Sequence, residues 1–219
     1  MTLNKYFDHT LLKPDATDAQ IKALCKEAKE YDFYSVCINS CHVNLAAKEL
    51  SGCNVEITTV VGFPLGACTS KTKAFETEEA CKAGASEVDM VINVGKLKSG
   101  DYDYVLADIE KVVDAASEYG SAVKVILETS LLTKDEIIKG CQLAAKGGAH
   151  FVKTSTGFCG EGATAEVVRL MKETIGDVLK IKASGGIRDY EAARKMIEAG
   201  ADRLGASASV EIMKQAENK

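Results

Sequence analysis

Two lysines and one aspartate are the residues of this chain best suited to covalent chemistry. Lys153, Lys182 and Asp89 each lie in a short run of β-forming residues, where side chains alternate between two faces. Apolar Val152 and Ile181 precede the lysines, so the charged side chains are expected on the opposite, inner face. An unprotonated amine there could attack a carbonyl group and form a Schiff base, which weakens a nearby C–C bond. A carboxylate beside it could transfer protons.

The reactivity of either lysine depends on its pKa. Neighbouring strands lie ~4.8 Å apart, so the two ammonium groups could approach within a few ångströms. Like charge and desolvation both lower a lysine pKa, and a fall from ~10.4 to ~7 raises the neutral fraction at pH 7 from about 1 in 2,500 to about half. The residues alone do not rank the two lysines. The structural alternative is an ion pair between Asp89 and one of them. Lys124 and Lys180 alternate in the same way, and we assign them no chemistry.

Glycine-rich segments after the last two β-rich runs suggest an anion site. Ser184-Gly185-Gly186 precedes a helix expected to start near Arg188-Asp189, and Gly205-Ala206-Ser207 precedes the final helix. Glycines let backbone N–H groups approach a ligand closely, and helix N-termini favour anions. Two such segments near an inward-facing lysine predict a phosphate-binding site.

Eight β-rich runs alternate with amphipathic helical patterns along the chain. Thr17 to Gln20 and Thr133 to Glu136 have the spacing of capping boxes that open two of the helices. Strict alternation implies parallel strands and right-handed crossovers. We therefore predict an α/β fold, a single (β/α)₈ TIM barrel over residues 1–219 with a short N-terminal extension; a doubly wound open sheet is the alternative. The predicted strands are 9–12, 34–38, 56–61, 88–93, 123–127, 151–154, 179–182 and 203–205.

Composition excludes several functional classes. The 219 residues include 27 Lys+Arg and 32 Asp+Glu, for a net charge of −5 without a basic cluster, which argues against nucleic acid as a partner. Neither a membrane-spanning apolar run nor a signal sequence is visible, so we expect a cytoplasmic protein. The eight cysteines are scattered and lack zinc-like spacing, which predicts reduced thiols and no metal site.

Several segments closely resemble the deoxyribose-phosphate aldolase family. The likeness runs from about residue 8 to 210, and the motifs around Lys153 and Lys182 are specific to that family. The segments are Asp8-His9-Thr10-Leu11-Leu12, Gly62-Phe63-Pro64-Leu65-Gly66, Glu87-Val88-Asp89-Met90-Val91-Ile92-Asn93, Val152-Lys153-Thr154-Ser155-Thr156-Gly157 and Ile181-Lys182-Ala183-Ser184-Gly185-Gly186-Ile187.

The resemblance implies an activity and a set of roles. The activity is reversible cleavage of 2-deoxy-D-ribose 5-phosphate to glyceraldehyde 3-phosphate and acetaldehyde, in deoxyribonucleotide catabolism, without metal or organic cofactor. Lys153 would be the Schiff-base nucleophile, Lys182 would lower its pKa, and Asp89 would assist proton transfer. The residues implied in phosphate binding are Gly157, Gly185, Gly186, Gly205 and Ser207.

The chain departs from the family pattern at two positions. Phe158 stands where some relatives carry lysine, and Ala208 where some carry a second serine; both bear on the strength of phosphate binding. Cys37 is interpreted as structural, with chemical modification left open. Two alternative functions remain: a related Schiff-base aldolase for another phosphorylated sugar, and a silent sugar-phosphate binding protein. The sequence leaves open whether the chain forms a homo-oligomer.

Overall fold

Strands and helices alternate along the chain, as the hydrophobic pattern predicts. The computed structural model describes residues 2–217. The strands are β1 (Phe7–Leu11), β2 (Ser35–Ile38), β3 (Glu56–Val61), β4 (Glu87–Val91), β5 (Ala122–Ile126), β6 (Phe151–Lys153), β7 (Lys180–Ser184) and β8 (Arg203–Ala206). The helices are α1 (Asp18–Glu30), α2 (Val43–Glu49), α3 (Ser70–Lys82), α4 (Val94–Lys98), α5 (Tyr102–Ser117), α6 (Lys134–Lys146), α7 (Ala165–Ile175), α8 (Tyr190–Glu198) and α9 (Ser209–Glu217).

The eight strands close into a parallel barrel in chain order. Each strand pairs with the next, and β1 pairs with β8 through Phe7 opposite Leu204 and Asp8 opposite Gly205. This closure confirms the (β/α)₈ barrel and excludes the open sheet. A 3₁₀ turn, Leu3–Tyr6, precedes β1 and corresponds to the predicted N-terminal extension.

The two faces of the strands differ in chemistry. Val88, Met90, Val152 and Ile181 face outward and join the apolar core between the barrel and its helices. The inner face carries charged side chains, and Asp89 is among those with no exposed surface. A small apolar layer also faces inward and consists of Leu12, Cys37 and Val60, with Phe63 packed against it. The predicted alternation is therefore confirmed, and the barrel interior combines charged side chains with this small apolar layer.

Side-chain caps fix where the helices begin. Both predicted capping boxes are present: Thr17 opens α1 with Gln20, and Thr133 opens α6 with Glu136. Asp189 caps α8 by accepting a 2.8 Å hydrogen bond from the N–H of Ala192. Within residues 2–217, no helix combines the length and apolarity needed to cross a membrane.

The strand ends differ from the prediction by at most two residues. β4 ends at Val91, and the prediction that Asn93 belongs to this strand is wrong. The side chain of Asn93 instead accepts a 3.1 Å hydrogen bond from the N–H of Lys96 and caps α4. The helix cap formed by Asn93 thus ends the strand, although the pattern of β-forming residues continues beyond Val91.

Candidate active site

Lys153, Lys182 and Asp89 meet inside the barrel. Lys153 ends β6, and Lys182 lies directly opposite it on β7. The ammonium groups donate to the same Oδ2 atom of Asp89, at 2.8 Å from Lys153 and 2.7 Å from Lys182. The two nitrogens therefore lie within two hydrogen-bond lengths of each other. The structure brings together the three residues that the sequence analysis predicts to be catalytic.

These residues belong to a larger buried network, which we call the interior charge cluster. Asp8 contacts Lys182 at 2.5 Å and Arg203 at 2.8 Å. Lys124, to which the sequence analysis assigns no chemistry, contacts Asp89 at 2.9 Å. The members of the cluster are Asp8, Glu87, Asp89, Lys124, Lys153, Lys182 and Arg203.

Sequence reasoning did not single out Asp8, Glu87 or Arg203. A signal was present, because the same alternation that turns Phe7 and Leu204 outward turns Asp8 and Arg203 inward. By contrast, Lys180 lies exposed at the amino end of β7, over the ring of Phe151. Lys180 therefore takes no part in the cluster.

The cluster contains one more cation than carboxylate. Its four basic side chains face three acidic ones, so full ionisation leaves one positive charge uncompensated. Lys153 contacts Asp89 alone among these carboxylates, whereas each other cation contacts at least two. An uncompensated buried charge is costly, and a group in that position releases its proton instead. Lys153 is thus the cation that most readily becomes a neutral amine.

The pKa shifts agree with this distribution of charge. Burial lowers the pKa of Lys153, and the charge of Lys182 lowers it further, against the opposing effect of Asp89. Burial also acts to lower the pKa of Lys182, but Asp8 and Asp89 outweigh it and raise that pKa. For Asp89, burial acts to raise the pKa, while Lys124, Lys153 and Lys182 together hold it well below its usual range. The geometry therefore favours Lys153 over Lys182 as the nucleophile, a ranking that the residues alone left open.

A cavity of about 280 Å³ opens above Lys153 at the carboxyl ends of the strands. All five residues predicted to bind phosphate line it: Gly157, Gly185, Gly186, Gly205 and Ser207. In the described part of the chain, the N–H groups of Gly157, Gly186 and Ser207 have no protein acceptor. Unpaired N–H groups around one cavity are suited to bind the oxygens of an anion.

Two of these glycines are required for different reasons. Gly185 has a φ of +86°, a backbone conformation that disfavours residues with a side chain. Gly205 has no such restriction, but a Cβ atom there would lie 2.4 Å from the Ser184 hydroxyl. Gly185 thus permits the turn after β7, whereas Gly205 leaves room beside β7.

The cavity also has cationic and aromatic walls that the sequence analysis did not assign. Lys13 and Arg188 line it and are exposed. Phe158 lines it as well, is 51% exposed, and packs edge-on against Phe63 with ring centroids 5.2 Å apart. Ala208 is not among the lining residues and packs against the apolar core. Of the two departures from the family pattern, only Phe158 reaches the cavity.

Cys37 lies on the inner face of β2 and is fully buried. Burial raises the pKa of its thiol. A protonated, inaccessible thiol is a poor nucleophile, which supports the structural interpretation. All eight cysteines are free, and within residues 2–217 no three His, Cys, Asp or Glu side chains are grouped to hold a metal ion.

Comparison with known proteins identifies the family. Residues 2–212 match the model of the DeoC/LacD family aldolase. The chain is 59% identical over 214 residues to deoxyribose-phosphate aldolase of Clostridium novyi, covering 97% of this chain and 96% of that one. It is 57% identical over 216 residues to that of a Thermoanaerobacter species, with coverage of 98% and 97%. The deoxyribose phosphate aldolase of Aeropyrum pernix, described as having a unique tetrameric structure, superposes with a TM-score of 0.92 at 30% identity, covering 98% of this chain and 91% of that one. The chain belongs to the DeoC/LacD family of aldolases.

Proposed function

We propose that this protein is a class I aldolase that reversibly cleaves 2-deoxy-D-ribose 5-phosphate to D-glyceraldehyde 3-phosphate and acetaldehyde. The observation that carries the proposal is the buried Lys153 amine, held beside Lys182 on one oxygen of Asp89 and open to a cavity with glycine-rich walls. The names of the relatives support the choice of substrate.

The reaction begins with Lys153. Its neutral amine attacks the aldehyde carbon C1 of the open-chain sugar, and loss of water gives a protonated Schiff base. The C2–C3 bond then breaks as the C3 hydroxyl loses its proton. C3 becomes the aldehyde carbon of glyceraldehyde 3-phosphate, and the electron pair of the broken bond forms an enamine on Lys153. Protonation of the enamine at C2 and hydrolysis by water release acetaldehyde and restore the free amine.

Asp89 and Lys182 assist the proton transfers in these steps. Asp89 lies 2.8 Å from the Lys153 nitrogen, so its carboxylate is close to the atoms that gain and lose protons. Lys182 is protonated and shares that carboxylate oxygen, and it can return a proton through Asp89. Lys182 also keeps a positive charge near Lys153, which maintains the neutral amine.

The glycine-rich loops hold the phosphate at the other end of the substrate. The N–H groups of Gly157, Gly186 and Ser207 supply hydrogen bonds, with Gly185 and Gly205 giving the backbone the space to approach. Lys13 and Arg188 add positive charge to the same cavity. These contacts orient the sugar so that its aldehyde end reaches Lys153.

The proposed partners are small molecules, namely the phosphorylated sugar and acetaldehyde, with no role for nucleic acid or a membrane. We place the reaction in the cytoplasm, which the eight free cysteines support because a reducing compartment keeps thiols unpaired. The tetrameric relative from Aeropyrum pernix supports a homo-oligomer of this single catalytic domain, residues 1–219.

A panel of sugars tests the proposal. We expect 2-deoxyribose 5-phosphate to give equal amounts of acetaldehyde and glyceraldehyde 3-phosphate. Unphosphorylated 2-deoxyribose should react with a kcat/KM lower by at least about a hundredfold. Each hydrogen bond to a charged group contributes ~1.5–3 kcal/mol, and two such bonds at the lower end already account for that loss. Both products are measured by coupled enzyme assays. Faster cleavage of another phosphorylated sugar would favour the related aldolase, and binding without any cleavage would favour the silent binding protein.

A further inference from the structure

Glu128 follows β5 in a backbone conformation that is uncommon for a residue with a side chain, with φ 57° and ψ 62°. The N–H of Leu127 donates to the carbonyl of Lys153 at 3.0 Å, and the N–H of Thr129 donates to the carbonyl of Thr154 at 2.9 Å. The two donors are two residues apart, whereas the two acceptors are adjacent. Glu128 is therefore an extra residue on the β5 side, as in a β-bulge. Bulges beside active sites change the direction of a side chain.

The bulge directs the Glu128 carboxylate onto the turn that follows β6. The N–H of Thr156 lies 3.4 Å from Oε1 and 3.3 Å from Oε2 of Glu128, and the Thr156 hydroxyl donates a short hydrogen bond to Oε2. The same hydroxyl oxygen accepts a 3.1 Å hydrogen bond from the N–H of Phe158. Glu128 is only 2% exposed. The buried carboxylate thus holds Thr156, and the Thr156 hydroxyl in turn holds the N–H of Phe158 at the other end of the turn.

This turn forms one wall of the active-site cavity. Thr156, Gly157 and Phe158 line the cavity, whereas Glu128 does not. Gly157 has a φ of +83°, and its N–H has no acceptor within residues 2–217. The direction of that N–H depends on the turn, and the turn depends on Glu128.

We propose that Glu128 is a positioning residue for substrate phosphate, acting through Thr156 on the N–H of Gly157. The inference rests on the proposed function, because it assigns the 156–158 turn to the phosphate end of the substrate. A left-handed backbone at a residue other than glycine costs free energy, and such conformations concentrate at functional sites. Here the cost is compensated by a carboxylate that accepts both donors of Thr156.

Substitutions at residue 128 separate this role from general stabilisation. Asparagine tolerates the left-handed backbone, but its side chain is too short to reach Thr156. We expect Glu128→Asn to raise the KM for 2-deoxyribose 5-phosphate about tenfold, equivalent to ~1.4 kcal/mol, with kcat within about threefold of wild type. The kcat/KM for unphosphorylated 2-deoxyribose should stay within about threefold of wild type. Glu128→Gln keeps one oxygen acceptor at the same reach, so its KM should rise less.

Glu136 offers a matched control. Its carboxylate also accepts a backbone N–H after β5, from Thr133 at 2.8 Å, but it does not line the cavity. Glu136→Ala should lower the melting temperature and leave both KM values unchanged. If Glu128→Asn and Glu128→Gln lowered kcat/KM equally for the phosphorylated and the unphosphorylated sugar, the inference would be overturned. Glu128 would then have only a structural role. An inactive wild-type protein would instead refute the proposed function, so the two failures are distinguishable.

Discussion

Replacing Lys153 with methionine is expected to abolish aldol cleavage while the barrel stays folded. We expect kcat/KM for 2-deoxyribose 5-phosphate to fall by at least about a thousandfold, because no other group supplies the amine that forms the Schiff base. Methionine is unbranched and similar in length, so the packing around the carboxyl end of β6 changes little. The measurement is the rate of acetaldehyde formation by wild type and Lys153→Met under identical conditions.

The stability of this variant provides its control. The pKa of Lys153 is lower in the folded protein than in the unfolded chain, so folding disfavours its protonated form. At pH values below the pKa of the unfolded chain, Lys153 therefore lowers the free energy of unfolding. A neutral methionine removes this effect and leaves three cations facing three carboxylates in the interior charge cluster. We expect the melting temperature of Lys153→Met at neutral pH to equal or exceed that of wild type. Substantial turnover by a folded variant would show that Lys153 is not the nucleophile.

Replacing Lys182 with methionine is expected to move the rising limb of activity to higher pH. Without Lys182, the three carboxylates of the interior charge cluster are balanced only when Lys124, Lys153 and Arg203 are all protonated. The pKa of Lys153 therefore rises. Lys182 is already fully buried, so methionine adds little desolvation to oppose the change. A rise of two units would reduce the reactive amine about a hundredfold at neutral pH, at ~1.4 kcal/mol per unit.

The fold should tolerate this change, because both carboxylates that contact Lys182 keep other partners. Asp8 retains Arg203 at 2.8 Å and Ser35 at 2.8 Å, and Asp89 retains Lys124 at 2.9 Å. The pH dependence of kcat/KM measures the pKa of the free enzyme. If activity fell while the pH profile stayed in place, Lys182 would act by positioning or by proton transfer, and not by lowering the pKa of Lys153. Full activity would leave Lys182 a structural residue.

The barrel and the inward direction of the two lysines and the aspartate could be predicted because both depend on local pattern. Alternation of apolar and charged residues placed Lys153, Lys182 and Asp89 on the inner face, and the spacing of turns placed the glycine-rich loops at one end. These sequence patterns involve residues close together in the chain, and few topologies are compatible with eight consecutive strand–helix units.

The pairing inside the barrel was not predictable in the same way. Asp8 and Arg203 are 195 residues apart in sequence, and their 2.8 Å contact requires barrel closure between β1 and β8. The role of Glu128 could not be predicted because a bulge depends on the register between two strands. The residue pattern of one strand contains no information about that register. Alternation predicts which way a side chain points, but not which partner it meets.

Reductive trapping identifies the lysine that carries the covalent intermediate, and we expect it to be Lys153. Wild-type protein is incubated with acetaldehyde and reduced with borohydride, and the modified lysine is located by peptide mass mapping. A reduced Schiff base should appear as an ethyl group on Lys153, and Lys153→Met should lose that specific label. An ethyl group on Lys182, or the absence of any site-specific adduct in active enzyme, would show that Lys153 is not the Schiff-base nucleophile.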